Sequence, residues 1–251
     1  MKAIIWREIR VSIQNIFSLV SQFIVPIFFL VFFATIFASN FGRLSFGGLE
    51  VDYIRFFAPG LFGYVTFLLF ALSFTYIKID KQTGMMAIIT LSKSSLEGYF
   101  FGKLLVQIFL SFCKIIVLVS LTIILSGVFP TMAPVCIVVF CVTLTLGTII
   151  WFSLGLIGGV YIQRDDIREV LMLLITLPIT FASSMYYDVN KAHSFIQNIA
   201  TVNPLTYICN LLRGSYLDRL PPDYLYQLLF LAGLSCFLLF LGVYSIRRVK
   251  L

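Results

Sequence analysis

Five stretches of this chain, 16–38, 56–77, 100–127, 133–160 and 224–246, are apolar over 20 residues or more, and that constrains its fold more than any other feature. About 20 apolar residues in a helix cross a hydrocarbon core of roughly 30 Å. Inside lipid every backbone N–H and C=O must find a partner within the protein, so a segment of this kind has to be helical. A sixth run, 170–184, is shorter and is interrupted by Pro178. At 1.5 Å per residue it reaches about 22 Å, so it spans only with its flanks or in a thinned bilayer. The pattern predicts six membrane-spanning helices in a single domain over 1–251.

Composition closes off the alternatives. Hydrophobic residues make up 60% of the chain and charged residues 12%, against about 25% charged in a soluble domain. Too little charge is present to cover a water-soluble fold, and disordered or fibrous chains need polar or repetitive sequence. The net charge of +7 is not gathered into a phosphate-binding face, because the basic residues stand in short breaks between apolar runs. Nucleic acid is therefore not an expected partner. Cys113, Cys136, Cys141 and Cys236 lie within apolar runs and Cys209 stands apart, so no CxxC or Cys/His spacing suggests a metal or redox centre.

The first run is longer than the 7–15 residues of a signal-peptide core and is followed by Ser39-Asn40-Phe41-Gly42, which is no cleavage site. It is expected to be a retained helix. If the N-terminus is cytoplasmic, inside segments hold twelve Lys and Arg and outside segments five, with Lys114 left within a span. That asymmetry places both termini in the cytoplasm.

Three segments outside the spans are informative. In residues 2–14, Ile5, Ile9 and Ile13 recur every four residues beside Trp6, while Arg7, Arg10 and Gln14 take the opposite face. This is the pattern of a helix lying in the headgroup layer; a cytoplasmic extension of the first span is the alternative. Between the second and third spans, Met85–Leu91 is apolar yet only one to two turns long. Either a partner protein covers it, for which methionines suit an adaptable contact, or it folds back on its own bundle. Ser94 and Glu97 match a capping box for the third helix. Before the last span, Asn203 and Pro204 form a helix start, and Leu205, Ile208 and Leu212 follow on one face. An external amphipathic or re-entrant helix is expected there.

Lys114 lies about 16 Å beyond Lys103 along the third helix, near mid-membrane, where a lone charge costs about 2.5–3.5 kcal/mol. Gln107, Ser111 and Lys114 share one helical face. They line a translocation path, with Lys114 meeting an anionic cargo group, or Lys114 snorkels or bonds backbone carbonyls. Gly147, Trp151, Gly155 and Gly159 recur at four-residue spacing on the fourth span, which allows close helix contact within the subunit or across a dimer. His193 has no second ligand or nucleophile in the sequence pattern, and Arg164-Asp165-Asp166-Ile167-Arg168-Glu169 reads as a solvated turn.

Three strings, in order on this frame, resemble the permease subunit of the ABC-2 type transporters over nearly the whole chain. They are Trp6-Arg7-Glu8 ahead of a span carrying Pro26, Gln82-Thr83-Gly84 leading to Gly102-Lys103, and Asn203-Pro204-Leu205-Thr206-Tyr207 with Arg213. The chain departs from the family in having Asp80 as the sole carboxylate shortly before Gly84, and Ser92-Lys93 where a proline is usual. The resemblance implies an all-α membrane subunit that forms a homodimer or heterodimer around a central path in the plasma membrane. It implies an ATPase-coupling helix built from Thr83, Gly84, Met85, Met86, Ile88, Ile89 and Leu91, and an external gate carrying Asn203, Pro204, Tyr207 and Arg213. Mg-ATP is then held by a separate ATPase, and this chain itself has no cofactor and no catalytic residue. Gly98-Tyr-Phe-Phe-Gly-Lys103 has three residues between its glycines and no Ser or Thr after the lysine, so it is no phosphate loop but a membrane-entry turn. The expected cargo is amphipathic or lipid-like: a drug, lipid or lipid-linked glycan. A secondary transporter or a non-transporting scaffold is the alternative; the former usually needs a carboxylate within the membrane, and the six predicted spans contain none.

Overall fold

The computed structural model describes residues 2–14, 16–41, 43–92, 95–162 and 164–248. Two helices open the chain, α1 (Lys2–Gln14) and α2 (Ile16–Phe41), followed by strands β1 (Arg43–Phe46) and β2 (Leu49–Asp52). Next come α3 (Tyr53–Phe67), α4 (Leu69–Gln82), the seven-residue α5 (Met85–Leu91), α6 (Leu96–Ser126) and α7 (Pro134–Tyr161). The chain continues through α8 (Asp165–Phe181), a 3-10 turn (Val189–Lys191), α9 (Ser194–Val202), α10 (Pro204–Tyr216) and α11 (Tyr224–Arg247).

Among the described residues five helical segments are long and apolar enough to cross a membrane: Val20–Phe37, Tyr53–Gln82, Leu96–Ser126, Pro134–Tyr161 and Tyr224–Arg247. These correspond to the five long apolar runs. The sixth expected span is α8, whose 17 residues reach about 26 Å. The second span is two helices in succession: Leu68 keeps right-handed dihedrals between α3 and α4 (φ −56°, ψ −23°), but the Leu72 N–H to Leu68 O bond is stretched to 3.4 Å.

The expectation of helix throughout needs one correction. β1 and β2 form an antiparallel hairpin with Phe46 opposite Leu49. Its turn is Gly47-Gly48, with φ +56° and +80°, the left-handed pair that a two-residue hairpin turn requires.

Tight packing centres on α7. Its small residues admit α4: a Cβ on Gly155 would collide with the Phe70 carbonyl oxygen and Ser73 Oγ, and one on Gly159 would lie 2.7 Å from the Phe74 carbonyl oxygen. The glycine stripe therefore serves packing within this subunit. Trp151 is buried with its ring edge-on to Phe67, centroids 4.7 Å apart. At the other end α3 meets α10 as closely, since a Cβ on Gly63 would stand 2.7 Å from Cys209 Sγ.

Candidate functional site at the α5 end of the bundle

Gly84 starts α5 in the left-handed region (φ +69°), which lets the chain reverse out of α4 without a Cβ clash. Thr83 is exposed and its hydroxyl donates to Ile79 O. The short helix then has two faces. Met86 and Ile89 are 1% and 3% exposed and pack in a cluster with Ile77, Tyr99 and Phe100. Ile88 and Leu91, spaced by three residues, are 59% and 83% exposed, and Met85 is half-buried beside them. One face thus folds back on the bundle, as one of the two readings of the sequence expected, and the other face is exposed. Met86 and Ile89, two of the residues expected in the coupling helix, belong to the inner face.

Beneath α5 lies a buried ionic cluster that the sequence reading did not assemble. Asp80, Lys103, Glu8 and Tyr99 are all less than a tenth exposed. Lys103 Nζ is 2.6 Å from Asp80 Oδ2 and 3.3 Å from Glu8 Oε2. Arg7 bridges the same carboxylates, 3.3 Å from Asp80 Oδ1 and 2.6 Å from Glu8 Oε1. The Tyr99 hydroxyl donates to Asp80, and the ammonium of Lys103 lies 4.9 Å from the Tyr76 ring centroid. Two cations face two carboxylates, so burial leaves no uncompensated charge. The cluster joins α1, α4 and α6.

Several expectations change in consequence. Asp80 and Lys103 lie in α4 and α6, near one end of the candidate helices Tyr53–Gln82 and Leu96–Ser126, where they pair with each other. Residues 98–103 are α6 helix and not a turn. The cap of α6 is Ser95, whose Oγ accepts from the Gly98 N–H at 3.0 Å; Ser94 and Lys93 lie outside the described residues. On α1, Ile4 and Glu8 face the bundle, with Ile4 filling the space left by Gly102. Trp6 and Ile9 face outward, with Arg10 stacked 5.0 Å from the Trp6 ring, while Arg7 turns inward to the carboxylates. Ile13's side chain is outside the described residues.

The candidate path residues are buried inside the subunit. Lys114 Nζ donates to Gln22 Oε1 of α2 at 2.9 Å, a neutral partner the sequence reading missed. Gln107 Nε2 lies 3.5 Å from the Tyr76 hydroxyl, and Ser111 Oγ is buried with no partner among the described residues.

At the opposite end, Asn203 caps α10: its Oδ1 accepts from the Leu205 N–H and its Nδ2 donates to Ile179 O. Pro204 fills the first helical position, and Leu205, Ile208 and Leu212 are fully buried. Tyr207 donates its hydroxyl to Thr201 O. Arg213, 1% exposed, donates to Phe56 O at 2.8 Å and Ser184 O at 2.7 Å, with its guanidinium 3.8 Å from the Phe56 ring. It thereby ties α10 to α3 and to the segment after α8. His193 caps α9, its Nδ1 accepting from the Phe195 N–H.

A bundle of membrane-length helices with a short two-faced helix at one end and a buried helix packed beneath the other defines a multi-pass membrane subunit. The sequence profile of the ABC-2 type transporter family matches residues 1–217, and the chain belongs to that family. It is also 24% identical over 200 residues to "Putative transport permease ycf38" of Cyanophora paradoxa, an alignment covering 79% of this chain and 68% of that protein.

Proposed function

We propose that this chain is the membrane subunit of an ATP-driven exporter, working as a dimer of permeases with both termini in the cytoplasm of a plasma-membrane cell boundary. The α5 end faces the cytoplasm, and a separate ATPase holding Mg-ATP docks on α5. The observation that carries this reading is the pairing of a fixed and a free apolar face on one short helix: Met86 and Ile89 anchor α5 to the bundle, and Ile88 and Leu91 are left for a partner. Burying one such side chain contributes about 1.5–3 kcal/mol. In this arrangement α8 with its flanks makes the sixth crossing, α10 with Asn203, Pro204, Tyr207 and Arg213 closes the external end, and the cargo is amphipathic or lipid-like.

The test is co-purification with the phosphate-loop ATPase that the chain assembles with. Ile88→Asp and Leu91→Asp, each putting a charge into the docking groove, are expected to abolish association and transport while the permease still inserts and folds. Thr90→Ala, on the exposed but polar side of α5, is expected to retain both. Association unchanged in the Ile88→Asp/Leu91→Asp double variant would overturn the coupling assignment.

A further inference from the structure

A cavity of about 320 Å³ opens at the end of the bundle opposite α5, walled by α9, α10, the start of α11 and the segment after α8. Its volume falls at the lower end of small-molecule sites. The wall carries fixed charges of both signs, Arg213 against Asp188 and Asp223.

Arg213 offers a donor that a ligand can reach. The side chain is 1% exposed; Nε donates to Phe56 O, and Nη2 donates to Ser184 O at 2.7 Å with Met185 O at 3.4 Å. The third nitrogen, Nη1, has no partner among the described residues. It is not sealed from solvent, as Thr206 Oγ1 and Gln227 Oε1 are. The carbonyls and the Phe56 ring, 3.8 Å away, fix the guanidinium before any ligand arrives. Asn210 stands three residues earlier on the same face of α10. Its Oδ1 accepts from Ser184 Oγ, which leaves Nδ2 as a second donor. A guanidinium edge with an amide donor beside it suits the two oxygens of a carboxylate.

The acidic side of the wall asks for the opposite charge. Asp223 is exposed at the start of α11 and accepts from Gln227 Nε2 at 3.1 Å. Asp188 is half-buried and close enough to act on the Arg213 charge. A simple anion meets two carboxylates here, and a simple cation meets the guanidinium. A molecule with one charge of each sign satisfies both. We infer that the cavity binds a compact zwitterion of the amino-acid type, a free amino acid or short peptide, with its carboxylate on Arg213 Nη1 and its ammonium on Asp223. The site lies within one chain, so the inference goes beyond the exporter reading and does not depend on it.

The experiment titrates the full chain, in phosphatidylcholine nanodiscs and without an ATPase, with L-seryl-L-serine, its N-acetyl derivative and its C-terminal amide. Saturable calorimetric binding of the free dipeptide is expected. Each derivative should bind about tenfold to a hundredfold more weakly, having lost one charge-assisted contact. Asp223→Asn keeps an oxygen for Gln227 and removes the charge. It should weaken the dipeptide about tenfold and leave the N-acetyl derivative unchanged, whereas a purely structural role would weaken both alike. Arg213→Gln should weaken the dipeptide and spare the amide; if that variant does not fold, Asp223→Asn and the two derivatives still decide. No saturable dipeptide binding, a derivative that binds as tightly as its parent, or unchanged dipeptide affinity in Asp223→Asn would overturn the inference. Dipeptide affinity that falls in nanodiscs carrying phosphatidylserine, but not in those carrying phosphatidylglycerol, would put a lipid head group in the cavity and overturn the free-ligand assignment.

Discussion

Replacing Lys103 with Met tests whether the buried cluster holds the α5 end together. The substitution keeps the length of the side chain and removes its charge, leaving Asp80 and Glu8 with Arg7 as their shared cation. Removing one partner of a buried ion pair costs about 3–5 kcal/mol. Arg7 still lies 3.3 Å from Asp80 and 2.6 Å from Glu8, so the lower end, about 3 kcal/mol, is expected. In a chain of this size each kcal/mol moves the unfolding midpoint by about 2–4 °C, giving a fall of roughly 6–12 °C. Asp80→Asn should fall comparably, since it strands Lys103 against Glu8 alone. The double variant removes both ends of the 2.6 Å pair and should lose less than the two single losses combined, by about 1.5 kcal/mol or more. Thermal unfolding in detergent, followed through the fluorescence of buried Trp151, measures all three. A Lys103→Met midpoint within about 2 °C of the parent, or strictly additive losses, would refute the reasoning.

Other consequences follow from particular contacts. Gly155→Ala should destabilise by about 1–3 kcal/mol or more, because the added carbon meets the Phe70 carbonyl oxygen; Gly233→Ala, with nothing within 4 Å, should be neutral or stabilising by up to about 1 kcal/mol, with the same midpoint measurement deciding. The Asp218 carboxyl is held below its usual range by the Ala133 N–H and then the Cys136 thiol donating to it. A lowered folded pKa means that its contribution is present above about pH 4 and lost as pH falls through the folded value. Midpoints of the parent and Asp218→Asn should therefore converge on acidification; a constant difference down to pH 2 would contradict the assignment. For orientation, a single cysteine at position 191 should react with an impermeant reagent from outside and one at position 93 should not; the reverse pattern would invert the proposed topology.

Much of the frame was legible in one dimension. Bilayer-length apolar runs announce themselves, and Asn203-Pro204 marked the start of α10 because capping chemistry is local. What escaped depended on contacts between distant positions. Asp80 and Lys103 were read apart, one before Gly84 and the other at a membrane-entry turn, and nothing in the sequence pattern shows that they pair. Gln22 lies inside the first apolar run, where no spacing links it to Lys114, and its side chain is that residue's partner. The inner face of α5 was hidden for a related reason: Met86 and Ile89 are as apolar as Ile88 and Leu91, and the helices packed around α5 distinguish them. The hairpin did carry a local signal, Gly47-Gly48 between short alternating segments, which the preference for helix throughout passed over.

The second span is clamped on both sides of Leu68. Above Leu68, α3 is held by α10 through Gly60, Gly63 and Arg213; below it, α4 is gripped by α7 through Gly155 and Gly159 and by Lys81 donating to Val160 O. Glycine contacts this close leave neither helix room to slide along its neighbour. The 3.4 Å bond from the Leu72 N–H to Leu68 O falls between the two clamps. Leu68 is therefore the seam between two helices that different neighbours hold most closely, α10 on one side and α7 on the other.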